Sequence, residues 1–219
     1  MKTLFFPRIT RCENYEKKPN DEYYSYTHYR NQISIDCQNR CVYCDVNLSE
    51  IGHEGFALDH FRPQEKFPAL KNDPKNLVIS CAKCNRYKSA HWPLDITTDD
   101  SHNGAVGFIE PFDFDRHEYF DISGTGIFSA LQGPSTYLIN LLSLNRPSRI
   151  LVRKKRILQA RINLVFDIAE SILTEISPMI EDRQITDDVI DKFRQAKTAI
   201  SAIQAARIEI AKLEANSGL

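Results

Sequence analysis

The 219-residue chain lacks several features that would place it in a common class. No apolar run reaches the roughly 18 residues of a membrane-spanning helix, and the first residues lack the long apolar stretch of a secretion signal. None of the eight glycines forms the Gly-x-x-x-x-Gly-Lys pattern of a nucleotide-binding loop. Low-complexity segments and internal repeats are also missing. We therefore expect a cytoplasmic protein with no membrane segment and no nucleotide-binding loop of its own.

The chain also has almost no net charge, −1 at pH 7, so its overall electrostatics do not indicate nucleic-acid binding. With 42% hydrophobic and 26% charged residues, it has the composition of a globular protein that can form a sizeable core. Charge is uneven locally: acidic residues concentrate in 95–121, and 146–161 contains basic residues without any acid. Such a basic stretch can contact phosphate, although it more often forms a solvated helix face.

Cysteine is sparse but patterned. Four of the six cysteines form two Cys-x-x-Cys pairs: Cys41, Cys44, Cys81 and Cys84. In a reducing compartment this spacing predicts a closed structural Zn²⁺ site rather than disulfides. Residues 45–80 separate the pairs, 36 residues where a simple zinc ribbon has about 15–20, so we expect an inserted hairpin. Cys37 could substitute as a ligand, but four ligands from two pairs are the simpler arrangement.

Local patterns predict an α+β fold with a small zinc-clamped core and a C-terminal α-helical region. "FALDHF" and "LVIS" are strand-like, a short helix follows the second cysteine pair, and Ser123–Gly126 is a turn between short strands. "STYLINLLSL" predicts a short helix. A long helix is expected after Asn145 as its N-cap, ending near Ser177–Pro178, and another after Thr186.

These patterns divide the chain into four segments. We expect an N-terminal arm over 1–36, a zinc-clamped core over 37–93, a loop and short-strand segment over 94–133, and a helical appendage over 134–219. The apolar stripes of the two long helices must be buried somewhere. They either pack only on each other and on the core, or also dock onto a partner.

The insertion between the cysteine pairs contains residues suited to phosphodiester chemistry. Asp59 and His60 end the first strand, Asn76 opens the second, and Asn85 follows the second pair. If the strands pair and the helix packs back, oxygen atoms of Asp59 and Asn85 can approach one point, as Mg²⁺ or Mn²⁺ requires. His60 would face the other way along the strand and could take a proton from an attacking water. This pattern predicts one-metal phosphodiester hydrolysis.

The segments "CVYC", "ALDHFRP", "NLVISCAKCN" and "RYK" resemble those of HNH endonucleases, also called ββα-metal nucleases. The resemblance implies that Asp59 is a metal ligand, His60 the general base and Asn76 a brace of the loop. Asn85 would be the second ligand, at a position that is often His in that family. The zinc would be structural and would hold the hairpin against the helix that carries Asn85.

Basic residues near this pattern are candidates for phosphate contacts: Arg62, Arg86 and Lys88. A simple surface charge is an equally good interpretation of each. We expect structural roles for the remaining histidines that we considered: His53, His91, His102 and His117.

A longer set of segments resembles the HNH subunit of Septu-type antiphage defence systems, a relative of which occurs beside some retrons. The segments are "ALDHFRPQEKFPAL", "NLVISCAKCNRYKS", "GFIEPFDFD" and "LLSLNRPSRILVRKKRI". This resemblance implies a DNA-cleaving effector that works with a separate ATPase. The stretch after "IEP" is shorter and differently charged than in that family, so the role of residues 111–121 stays open. The alternatives are a non-catalytic zinc module that binds nucleic acid or protein, and an RNA-cleaving toxin of the same fold.

Overall fold

The computed structural model describes residues 4–51 and 55–217. The chain divides into two compact units, Met1–Val152 and Arg153–Leu219. Within the described ranges, no helix combines the length and the apolar character that crossing a membrane requires. His53, for which we expected a structural role, lies outside the described residues.

The first unit mixes short helices and strands, as the sequence predicts. Its elements are α1 (Arg30–Asp36), β1 (Phe56–His60), β2 (Leu77–Cys81), α2 (Ala82–Lys88), β3 (Phe120–Ile122), β4 (Phe128–Ala130) and α3 (Ser135–Leu141). The strands form two antiparallel hairpins, β1–β2 and β3–β4. The α+β class, both predicted strands, the helix after the second cysteine pair and the turn at Ser123–Gly126 are therefore confirmed.

The β1–β2 hairpin and α2 form the centre of the first unit. Asp59 pairs with Val78 and His60 with Leu77 across the hairpin. Every residue of β2 is buried, including the polar Ser80. The strand therefore lies in the core with both of its faces covered. Helix α2 follows β2 directly and contacts both strands. This ββα arrangement brings the end of β1 next to the side chains of α2.

The N-terminal arm packs on the first unit through aromatic side chains. The ring of Phe6 lies 5.7 Å from that of Phe120 and 5.2 Å from that of Phe128, so it contacts both strands of the β3–β4 hairpin. The backbone N–H of Phe6 donates to the buried carboxylate of Asp45, at 3.0 Å. The arm and the second hairpin thus belong to the same compact unit as the β1–β2 hairpin.

Two long helices, α4 (Pro147–Glu181) and α5 (Asp187–Ser217), follow. Within the second unit they run antiparallel, since Lys154 pairs with Glu209 at 2.8 Å and Lys192 with Glu175 at 2.7 Å. Three buried apolar residues of each helix recur at intervals of seven: Ile162, Ala169 and Ile176 on α4, and Val189, Ala196 and Ile203 on α5. Heptad spacing of this kind is typical of paired helices in a coiled coil.

The prediction that Asn145 is the N-cap of α4 is wrong. The helix begins at Pro147, and the side chain of Asn145 instead holds β4. Its Oδ1 accepts from the backbone N–H of Phe128 and its Nδ2 donates to the carbonyl of the same residue, both at 2.8 Å. Asn145 thus satisfies the N–H and the carbonyl of one strand residue, Phe128, as a neighbouring strand would do.

The predicted end of α4 near Ser177–Pro178 is also wrong. The helix continues to Glu181 with Pro178 inside it, at the loss of the hydrogen bond that the missing N–H would have made. The helix stops where Arg183 adopts a φ of 57°. The N–H of Gln184 then donates to the carbonyl of Met179 and that of Arg183 to Ile180, which is the Schellman arrangement that ends many helices.

Candidate active site and metal centre

The two Cys-x-x-Cys pairs meet in one buried cluster, as predicted. The sulfur atoms of Cys41, Cys44, Cys81 and Cys84 all lie within 4.8 Å of one another. The Cys44 and Cys81 sulfurs are 3.8 Å apart. Ligands at the usual Zn–S distance of about 2.3 Å in a tetrahedron are separated by about 3.8 Å, whereas disulfide sulfurs lie about 2.05 Å apart. The cluster therefore fits a tetrahedral structural zinc.

The first cysteine pair is shaped by a tight turn that is tied to β2. Asp45 has a φ of 60°, and its N–H donates to the carbonyl of Cys41. The N–H of Val42 donates to the carbonyl of Ile79 in β2, at 3.0 Å. The carboxylate of Asp45 is fully buried and pairs with Arg40 at 3.1 Å. The turn thus presents both sulfurs toward the end of β2, where the second pair begins.

The carboxylate of Asp59 is buried, and both of its oxygens have partners. One oxygen lies 3.1 Å from the ammonium of Lys88, and the other accepts a hydrogen bond from the Tyr43 hydroxyl at 2.9 Å. Burial raises the pKa of Asp59, while the charge of Lys88 and the hydrogen bond from Tyr43 oppose this effect. Burial also raises the pKa of the Tyr43 hydroxyl, and the neighbouring Asp59 adds to the shift. Tyr43 therefore remains a donor to Asp59 at neutral pH.

The imidazole of His60 is held in one orientation. Its Nε2 lies 2.8 Å from the carbonyl oxygen of Lys71, and the Tyr26 ring packs edge-on to it with centroids 4.9 Å apart. A carbonyl only accepts hydrogen bonds, so Nε2 carries the proton and Nδ1 carries the free lone pair. Nδ1 has no hydrogen-bond partner among the residues that the structure describes. Geometry thus leaves His60 with one unoccupied basic nitrogen.

The amide of Asn76 closes the loop between β1 and β2. Its Oδ1 accepts from the N–H of Arg62 and its Nδ2 donates to the carbonyl of Arg62, both at 2.9 Å. The same Nδ2 lies 3.4 Å from the carbonyl of Leu70. Asn76 is buried, so these contacts join both ends of the loop in the interior. The loop in turn includes Lys71, whose carbonyl orients His60.

A cavity of about 370 Å³ brings the predicted active-site residues together. Its lining includes Asp59, His60, Asn85 and Arg86, together with Tyr26 from the N-terminal arm. Arg86 is exposed, and it makes no ion pair within the described ranges. The side-chain amide of Asn85 likewise has no hydrogen-bond partner in the described part of the chain. Carboxylate and amide oxygens in one cavity are a donor set that fits Mg²⁺ or Mn²⁺.

Two of the three basic residues predicted to contact phosphate do not line this cavity and have other partners in the structure. Lys88 is 1% exposed, because its ammonium contacts Asp59 and the carbonyl of His60. The guanidinium of Arg62 donates to the carbonyls of Thr98 and Asp99, and its carbon lies 4.9 Å from the centre of the Trp92 ring. Arg62 lines a separate cavity of about 730 Å³. Arg86 alone of the three lines the cavity of His60.

Sequence reasoning missed several residues of this region. Tyr26 reaches His60 from a Tyr-rich arm that has no fixed spacing to the motif, and Tyr43 lies inside the first cysteine pair. The basic stretch starting at residue 146 was expected to meet phosphate or water. Its first member, Arg146, instead contacts cysteine sulfurs, and Arg149 is buried. One sequence signal could have identified Tyr43: it lies between two predicted zinc ligands, Cys41 and Cys44, and so close to the predicted core.

Comparison with known proteins supports the resemblance to HNH endonucleases and to Septu proteins. Residues 41–91 match the family model described as HNH endonuclease. The chain is 38% identical over 53 residues to the Septu protein PtuB of Bacillus thuringiensis, covering 24% of this chain and 20% of that protein. It is 26% identical over 129 residues to the Septu protein PtuA of Bacillus mycoides (strain KBAB4), covering 49% of this chain and 18% of that protein. The chain thus spans about a fifth of the length of each relative. No solved structure matches.

Proposed function

We propose that this chain is a metal-dependent endonuclease that hydrolyses DNA phosphodiester bonds by a one-metal mechanism. The match of residues 41–91 to the HNH endonuclease family model supports this proposal. The observation that carries the proposal is the single cavity that joins Asp59, His60 and Asn85. A zinc module that only binds nucleic acid or protein has no need for an oriented histidine beside two hard oxygen donors.

His60 is the general base in this proposal. Its Nδ1 takes a proton from the water that attacks phosphorus, while Nε2–H stays on the carbonyl of Lys71. The carbonyl dipole stabilises the positive imidazolium that forms. The P–O bond to the leaving oxygen breaks as the bond to the water oxygen forms. The leaving oxygen takes up a proton from solvent, and the imidazolium releases its proton to solvent, which restores neutral His60. Tyr26 packs against the imidazole and limits its rotation.

Asp59 and Asn85 would hold the catalytic Mg²⁺ or Mn²⁺ through one carboxylate oxygen and one amide oxygen. When bound, such a cation stabilises negative charge on the phosphate and on the leaving oxygen. The ammonium of Lys88, 3.1 Å from one carboxylate oxygen, favours the ionised form of Asp59, which is the form that binds a cation. Arg86, an exposed residue that lines the same cavity, would contact a phosphate oxygen.

Cleavage of supercoiled plasmid in Mg²⁺ or Mn²⁺, with and without chelator, tests this function. His60→Ala should lower the rate by about 10²–10⁴-fold with zinc content and fold unchanged, because a general base contributes this much. Asn85→Ala should raise the concentration of Mg²⁺ that cleavage needs. Cleavage by His60→Ala at the wild-type rate would contradict the mechanism. A parallel assay on structured RNA distinguishes the RNA-cleaving alternative, which would show RNA as the better substrate.

We further propose that the chain acts as the nuclease effector of an antiphage defence complex with a separate ATPase. Support comes from the resemblance to Septu proteins and from apolar residues that remain exposed on α5: Ile190, Phe193, Ile200 and Ile208. These four residues lie within one stripe of the helix, because they are spaced by three, seven and eight positions. An exposed apolar stripe of this kind is typical of a protein interface. The chain's net charge of −1 also favours a partner that delivers DNA.

Co-expression with a neighbouring ATPase gene, followed by affinity purification, tests the partner. The double variant Phe193→Glu/Ile200→Glu should lose copurification, because two charges in an apolar interface remain unpaired. Gln195→Glu, an exposed change between those positions on the same helix, is the matched control. Copurification that is equal in both variants would contradict docking through this stripe.

A further inference from the structure

The guanidinium of Arg146 lies against the cysteine cluster. Its Nη2 is 3.4 Å from the sulfur of Cys81, 3.6 Å from that of Cys84 and 4.0 Å from that of Cys44. These sulfurs come from both Cys-x-x-Cys pairs. One nitrogen of one side chain thus contacts three of the four predicted zinc ligands.

The other end of the same guanidinium is fixed to the backbone. Nη1 of Arg146 donates to the carbonyls of Leu142 and Ser143, at 3.1 and 3.2 Å. These carbonyls follow the last turn of α3, where backbone acceptors have no partner within the helix. The carbon of the guanidinium is 6.0 Å from the centre of the Tyr87 ring on α2. Arg146 therefore joins the end of α3 to the cysteine pairs.

Charge explains why an arginine is suitable at this place. Four thiolates around one Zn²⁺ leave a net negative charge that is buried with the cluster. N–H groups that donate to ligand sulfurs spread this charge and hold the ligands in place, as partners outside the ligand set do in many metal sites. A guanidinium can do this and bind two carbonyls at once, because its donors point in fixed directions. A lysine ammonium presents its donors from a single atom.

We propose that Arg146 is a positioning residue of the zinc site. It compensates thiolate charge and anchors the segment of residues 142–146 to both cysteine pairs. Arg146 is thereby unavailable for contact with nucleic-acid phosphate, the role that a basic stretch at this place in the sequence suggests. The role concerns the zinc cluster alone and is independent of whether the chain cleaves DNA.

Zinc release from the purified holoprotein to excess chelator, followed with a colorimetric zinc indicator, tests the role. Arg146→Ala should release zinc about 10- to 100-fold faster than wild type, the range found for partners outside the ligand set. Arg146→Lys should be intermediate, since it keeps the charge and loses the fork of donors. Arg194→Ala is the matched control, because Arg194 is exposed on α5, where it pairs with nearby Asp191. Release from Arg146→Ala at the wild-type rate would overturn the proposal.

A spectroscopic measurement separates this role from a general effect on folding. After exchange of zinc for Co²⁺, the sulfur-to-cobalt charge-transfer band reports hydrogen bonds to the thiolates. Loss of N–H donors raises the energy of the sulfur lone pairs, so the band of Arg146→Ala should move to lower energy. A band that stays in place would overturn the proposal even if zinc release is faster. Should Arg146→Ala not fold, Arg146→Lys carries both measurements, and wild-type values in both would overturn it.

Discussion

The ammonium of Lys88 lies 3.1 Å from a carboxylate oxygen of Asp59, and both side chains are buried. Lys88 also contacts the carbonyl of His60, at 2.6 Å. One lysine of α2 therefore fixes two consecutive residues at the end of β1. This contact positions the Asp-His pair relative to Asn85, which lies one helical turn before Lys88 on the same helix.

Lys88→Met should strongly destabilise the protein. The substitution leaves Asp59 buried without its partner, and breaking a buried pair in this way costs about 3–5 kcal/mol. Urea unfolding measures the change, with exposed Lys75→Met as a control expected within about 0.5 kcal/mol of wild type. The double variant Lys88→Met/Asp59→Asn should recover part of the loss, since it removes the unpaired charge. Equal stability of Lys88→Met and Lys75→Met would show that the pair contributes nothing.

Removal of one cysteine should abolish zinc binding. Elemental analysis should find about one Zn²⁺ per wild-type chain, the content of a single closed four-cysteine site. Cys81→Ser should lose the metal and unfold or aggregate, because a structural zinc contributes folding free energy directly. Cys12→Ser serves as the control, since Cys12 lies outside the cluster. A metal-free wild-type preparation with an unchanged melting temperature would rule out the structural role.

Asn76→Ala should loosen the loop between β1 and β2. The part-buried N–H of Arg62 then loses its acceptor, which costs about 1 kcal/mol. Asn76→Asp should also be destabilising, because a carboxylate cannot donate to the carbonyls of Arg62 and Leu70. Denaturant unfolding and limited proteolysis within residues 61–76 measure the effect, with exposed Asn20→Ala as the control. Wild-type stability and proteolysis of Asn76→Ala would contradict a bracing role.

Glu110 should make stability depend on pH. Burial raises its pKa to about 7 from an ordinary value of 4.5; Arg11, at 3.5 Å, opposes the shift and Asp113 adds to it. The folded protein therefore holds this proton more tightly than the unfolded chain. The contribution of Glu110 is greatest below pH 4.5 and is lost as the pH rises through about 7.

Comparison with Glu110→Gln isolates this effect. The difference in unfolding free energy between the two proteins should change by about 3 kcal/mol between acidic pH and a pH above 7, in favour of the variant at the higher pH. Chemical unfolding across this range measures it. A difference that does not vary with pH would mean that Glu110 titrates alike in the folded and unfolded states.

The cysteine clamp was predictable because its chemistry is local. Two residues between cysteines suffice for both sulfurs to reach one metal, and a second pair completes the tetrahedron. The strand "LVIS" and the helix after Cys81 were predictable for a similar reason, since apolar patterning and short-range spacing determine them. The ends of α4 could not be predicted in this way. The side chain of Asn145 binds the backbone of β4 instead of capping the helix, and the helix continues past Pro178.

The candidate site was predictable only in part. Asp59, His60, Asn76 and Asn85 are recognisable from their order along the chain, and the structure places three of them around one cavity. Their partners are distant in sequence: Tyr26 comes from the N-terminal arm, and Arg146 lies 62 residues after Cys84. No periodicity connects such residues, so no pattern could assign them.

The sequence by itself determined the kinds of elements, the pairing of the four clustered cysteines and the candidate residues for chemistry. Only the tertiary structure decided where the long basic side chains point. Lys88 turns inward to Asp59, Arg62 lies over Trp92, and Arg86 remains at the cavity. Lysine and arginine side chains have several rotatable bonds, and their charge is stable either in water or beside a buried partner. Which of these applies depends on the charges and carbonyls that folding brings near them, and those groups come from distant parts of the chain.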